Sequence, residues 1–162
     1  MSENGLALDG WLDLALEGTK ETVAMCLVGK EVNLQQRRLG APRFTTGTML
    51  PLVTSNMTMY VCLFTTPAGC EALAKGLLGM EDGDEEEIAG EEVRDAFGEI
   101  VNILAGLMQT KLGDIYSGIE LALPCFLEGK VVHEPTDKAA VAEIDIGGLE
   151  AELLVFGNSK AD

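Results

Sequence analysis

At Thr66-Pro67 the apolar residues of this chain change their period, and that switch limits the folds open to it. From Thr45 to Thr66 the residues are mostly Thr, Val, Met, Tyr and Phe, with partial alternation. This is the pattern of strands that bury one face. Ser55-Asn56 divide the run into a hairpin of about Thr48–Val53 and Met57–Thr65. Pro51 cannot donate to a ladder, so the first strand should lie at an edge or break there. Beyond the switch the period is helical. Thr66 can cap a helix and Pro67 suits its first position. Cys70, Leu73, Ala74, Leu77 and Leu78 then share one face, and Gly79 closes the helix.

Similar reasoning extends to both sides. Leu12, Leu16, Thr19, Val23, Cys26 and Leu27 recur at helical spacing, with Gly29 as a stop. A third helix is expected from about Glu91 to Leu112, ended by Gly113. Its buried face would carry Val93, Phe97, Ile100, Leu104, Leu107 and Met108. Ile119–Phe126, Ala140–Ile146 and Glu150–Phe156 read as strands, with Gly147-Gly148 as the hairpin turn between the last two. The expected class is α+β, an antiparallel β-sheet with long helices packed on it, in the order α-β-β-α-α-β-β-β. Residues 1–162 are expected to form a single domain, with ends at 1–8 and 158–162 frayed.

Composition excludes several functions. The net charge of −16 repels phosphate backbones and acidic leaflets, so neither nucleic acid nor membrane is expected as a partner. The first ten residues have no basic segment and no apolar run approaches a membrane span, which points to the cytoplasm. Cys26, Cys62, Cys70 and Cys125 form no C-x-x-C pair and read as reduced, mostly buried thiols. With His133 alone, expected at a strand end or loop surface, there is no zinc pattern. The acidic run Glu81–Glu87 lacks the register of a calcium loop and reads as a solvated lead into the third helix. Trp11, Tyr60 and Tyr116 read as packing residues. There is no P-loop, dinucleotide fingerprint or nucleophile triad.

One pair of residues suggests chemistry. Asp95, Glu99, Asn102 and Gly106 form a separate stripe on the third helix, and Glu99 and Asn102 project from one side about a turn apart. The carboxylate can engage a cation on a partner. The carboxamide can hold a water by one donated and one accepted hydrogen bond. Orienting a water for in-line attack on phosphorus needs positioning more than a base. A bare E-x-x-N also fits two solvated surface residues. Gly98 and Gly106, costly inside a helix, point either to approach by another surface or to close packing within the chain.

The stretch DAFGEIVNILAGLMQTKL, Asp95 to Leu112, resembles the signature helix of the CheC/CheX/FliY family of chemotaxis phosphatases. Gly98, Glu99, Asn102, Ala105 and Gly106 match that family's pattern in place. VCLFTTPAGCEALAKGLLGME is similar to the family's strand and following helix, and IELALPCFLEGK to its later strand, with Pro124 at the family's proline. Helix one has no second Glu-x-x-Asn, which resembles the single-motif CheX type. The resemblance implies a hydrolase acting on the aspartyl phosphate of a CheY-like response regulator. Glu99 and Asn102 would be its catalytic residues, Glu99 pairing with the receiver's lysine and Asn102 placing the water. Mg2+ would be held by the receiver, with no cofactor bound by this chain. A homodimer joined through its sheets is also implied, and the strand-rich C-terminal third is the expected edge. The alternatives are an adaptor that binds a phosphorylated receiver without hydrolysis, and a structural flagellar-switch subunit.

Overall fold

The structure, a computed structural model, describes residues 6–80, 86–128 and 139–159. In chain order the elements are α1 (Leu8–Cys26), β1 (Val32–Leu39), β2 (Thr46–Val53), β3 (Met57–Thr65), α2 (Pro67–Leu77), α3 (Gly90–Leu112), β4 (Glu120–Leu121), β5 (Cys125–Leu127), β6 (Ala140–Ile146) and β7 (Leu149–Ser159). The strands form one antiparallel sheet in the order β1-β6-β7-β3-β2-β4, with β5 also paired to β2. This is the α+β class expected.

The central strands supply alternate residues to two faces. On β7, Ala151, Leu153 and Val155 join the main core with Leu50 and Leu52 of β2 and Val61 and Leu63 of β3. Trp11, Leu12 and Leu16 of α1 pack on that face, as do Phe97, Ile100, Leu104 and Met108 of α3. Each such side chain, fully buried, contributes about 1.5–3 kcal/mol. The helices meet closely: a Cβ at Gly18 would stand 3.1 Å from the Leu104 carbonyl oxygen. Thr19 and Thr22 are buried within α1 because their hydroxyls donate back to Ala15 and Gly18 carbonyls, at 2.7 and 2.6 Å.

The other face of the sheet has a smaller core of Cys62, Phe64, Ala139, Val141 and Leu154, bordered by stacked Tyr60 and Phe156. Beside it Glu152 is completely buried. Its carboxylate accepts from Arg38 Nη2 at 2.6 Å and from the backbone N–H groups of Arg43 and Phe44 at 2.6 and 2.9 Å. A buried carboxylate is tolerable only when its lone pairs are met in this way. The bonds fasten the chain before β2 to the sheet.

The hairpin Thr46–Val53 with Met57–Thr65 and α2 fall where the sequence placed them. Thr66 Oγ1 accepts from the Gly69 N–H at 2.9 Å, completing the expected cap. The two glycines of the last turn both have positive φ, as a two-residue hairpin requires.

Several details differ. β1 was not foreseen: it is an edge strand with most residues exposed, so no apolar alternation marks it. The expected strand Ile119–Phe126 is two short strands, separated around Pro124. The C-terminal strands cannot be the free edge of a sheet-joined dimer, because β6 lies between β1 and β7, and β7 between β6 and β3. Among the described residues the open edges are β1 and the β4/β5 side. Leu78 is exposed, Val93 and Leu107 are only half-buried, and Cys125 is exposed. Leu8 already opens α1 and β7 runs to Ser159, inside stretches expected to fray. His133 and Glu81–Glu85 of the acidic run lie outside the described residues.

Candidate functional site

α3 is the longest helix described, and one side of it faces outward. Glu91 and Glu92 in its first turn and Lys111 in its last complement the helix dipole. Its apolar side, including Phe97, Ile100, Leu104 and Met108, is buried over β2 between α1 and α2. The opposite side leaves Asp95, Glu99 and Asn102 exposed. Among the described residues, neither Glu99 nor Asn102 has a hydrogen-bond or ion-pair partner, so both are free to engage something else.

Both side chains line a cleft of about 530 Å³. α3 forms one wall with Arg94, Asp95, Gly98, Glu99 and Asn102. The other wall is Leu121–Pro124 with Phe126, and Thr48 of β2 lies between them. The first wall is polar and charged, the second almost wholly apolar.

The second wall exists because pairing with β2 is interrupted. Met49 pairs with Cys125 and Leu52 with Leu121, so Ala122, Leu123 and Pro124 oppose only Leu50 and Pro51. Neither proline has an N–H to give, and the Ala122 N–H bonds the Pro51 carbonyl at 3.0 Å. The extra residue makes the segment bulge from the sheet. β2 itself continues through Pro51, which pairs with Tyr60, and it is flanked by β4 and β5. The sequence had suggested an edge strand or a break at Pro51; β2 is neither, and the interruption falls in its outer partner instead.

The helix glycines have no packing reason to be glycine. A Cβ at Gly98 or at Gly106 would meet nothing within 4 Å. The bare backbone at Gly98 leaves space in the cleft rather than room for a neighbouring element. Of the two explanations open for these glycines, packing within the chain is the one not supported.

Sequence reasoning found Glu99, Asn102 and Gly98, and missed Arg94, Thr48 and the Leu121–Leu123 wall. A signal for Thr48 was present: it shares the inward face of β2 with Leu50 and Leu52, an unusual place for a hydroxyl. Nothing local marked Arg94, whose guanidinium is 4.0 Å from Glu128 at the surface, an ion pair of little energetic value. Among the described residues no group of three or more His, Cys, Asp or Glu could hold a metal ion. No helix among them is long and apolar enough to cross a membrane.

The family model for chemotaxis phosphatase CheX matches residues 51–145, more than half of the chain and all of α3. The chain belongs to the CheX family. Solved structures agree in fold. A CheX from Desulfovibrio desulfuricans is similar with a TM-score of 0.74 at 14% identity, over 91% of this chain and 99% of that one. A CheC-like superfamily protein from Shewanella sp. PV-4 gives 0.74 at 15%, over 98% and 99%. The CheX–CheY–BeF3–Mg2+ complex from Borrelia burgdorferi gives 0.72 at 15%, over 91% and 97%. At these identities the structural likeness establishes the fold alone. No protein with a curated description matches this CheX-family chain in sequence.

Proposed function

We propose that this CheX-family protein hydrolyses the aspartyl phosphate of a phosphorylated CheY-like response regulator, with Glu99 and Asn102 as its catalytic residues. The observation that carries this reading is the placement of the pair. A carboxylate and a carboxamide stand exposed, one turn apart and without a partner among the described residues, in a cleft of about 530 Å³. Family membership and the existence of a CheX–CheY complex support the same partner class.

The chemistry asks little of this chain. Glu99 docks against the lysine of the receiver. Asn102 gives a hydrogen bond to the attacking water and takes one from it, fixing its approach in line with the phosphorus. Mg2+ would be held by the receiver's carboxylates and would neutralise charge on the phosphoryl oxygens, leaving this chain to supply Glu99 and Asn102.

The test is single-turnover loss of phosphate from a chemically phosphorylated receiver. Wild type should accelerate it, and Asn102→Ala should lower the rate by a factor on the order of 10² or more. An Asn102→Ala protein that works at the wild-type rate removes the assignment. A wild type that binds the phosphorylated receiver without accelerating decay identifies an adaptor instead.

A further inference from the structure

Thr48 carries a hydroxyl that the fold does not use. It sits on the inward face of β2, 1% exposed, and its Oγ1 is buried without a hydrogen-bond partner. Among the described residues it is the one buried side-chain polar atom in that condition. Other buried threonines show the contrast: Thr19, Thr22 and Thr65 each donate to a backbone carbonyl at 2.6–2.7 Å. Leaving such a group unpaired is costly, whereas valine would fill the same shape without that cost. Packing therefore does not explain the hydroxyl.

Its location offers a reason. Thr48 lines the same cleft as Asn102 and Gly98, where α3 crosses β2. Gly98 precedes Asn102 by one turn and leaves open space where a Cβ would stand. The Asn102 carboxamide has no partner among the described residues and is free to rotate about its side-chain bonds. An attacking water needs one amide donor and one acceptor held in fixed directions, and a carboxamide has a second N–H and a second lone pair to spare.

We propose that Thr48 is a positioning residue for Asn102. When a receiver fills the cleft, the Thr48 hydroxyl takes a hydrogen bond with the Asn102 carboxamide and fixes the orientation in which it holds the water. The bond is missing in the free protein and made in the occupied one. Its free energy is then realised during reaction rather than in the resting fold. This inference rests on the phosphatase reading above.

The experiment compares Thr48→Val and Thr48→Ser with wild type, using the full chain and a chemically phosphorylated CheY-like receiver. Thr48→Val should lower kcat roughly tenfold, the net worth of one hydrogen bond, with KM unchanged. Thr48→Ser keeps the hydroxyl and should restore most of the rate. Adding Thr48→Val to Asn102→Ala should slow the enzyme no further, because the residue acts only through Asn102. In urea, Thr48→Val should be at least as stable as wild type. The proposal is overturned by a Thr48→Val enzyme with wild-type kcat, by full additivity with Asn102→Ala, or by a clear loss of stability showing that the hydroxyl is bonded within the fold. If wild type and Asn102→Ala do not differ, the phosphatase reading itself fails and takes this role with it. An active wild type with a slow Asn102→Ala and an unimpaired Thr48→Val removes Thr48 alone.

Discussion

Asn102 on α3 and Leu123 on the β4–β5 connection line one cleft from opposite walls, and Leu123 is 87% exposed. A large aliphatic side chain held out beside an unpartnered polar pair is what a docking partner would cover. Its exposure follows from the interrupted pairing around Pro51 and Pro124. Truncating it should weaken docking without touching the chemistry. Leu123→Ala is expected to raise KM for the phosphorylated receiver about tenfold, as for an interface residue worth slightly more than 1 kcal/mol, with kcat unchanged. An unaltered KM would place the partner elsewhere on α3.

Glu99 and Asn102 should separate in kinetics although they share a helix turn. The carboxylate meets a cation that is present before and during reaction, so Glu99→Gln should raise KM and lower kcat together. The carboxamide acts on the water, so Asn102→Ala should lower kcat with little change in KM. The Glu99 effect should also shrink as salt is raised, because an exposed ion pair is screened. Steady-state kinetics at low and high ionic strength check both statements.

Gly98 sets stability against function. A Cβ there meets nothing in the chain, and alanine is about 1 kcal/mol better than glycine inside a helix. Gly98→Ala should therefore unfold at higher urea than wild type. The same methyl group projects into the cleft, so dephosphorylation should fall roughly tenfold or more through lost near-attack geometry. A variant that is both more stable and fully active would show that no partner approaches α3 at this point.

The thiols divide by burial. Cys125 is exposed beside Pro124, and should react with a thiol reagent in the native protein. Cys62 and Cys70 are buried, and should react only after unfolding. Burial pushes the Cys62 thiol up, and burial with help from Glu128 pushes the Cys70 thiol up to about 12. The unfolded chain loses these protons near the ordinary value of 9.0, while the native chain keeps them. The Cys70 contribution to stability is thus complete below pH 9.0 and is lost as pH rises towards about 12, and Cys62 acts in the same direction. From this source urea midpoints should be level below pH 9.0 and fall above it, and Cys70→Ala should reduce that slope.

Short-range chemistry explains which parts of this molecule could be read from its residues. The Thr66-Pro67 start of α2, the buried stripe of α3 and the diglycine turn before β7 depend on neighbours three or four positions away, so the sequence contains the whole cause. The stripe of Glu99 and Asn102 was legible for the same reason. β1 was not, because an edge strand exposed along most of its length carries no periodic signal. The central place of β7, the bulge that raises Leu123, and the approach of β2 to α3 depend on pairings between residues far apart in the chain. By itself the sequence determined the elements and the chemical character of one helix face. Only the tertiary structure decided that this face is open, that an apolar wall stands opposite it, and that Thr48 lies beneath, since each depends on which distant segments share the free energy of burial.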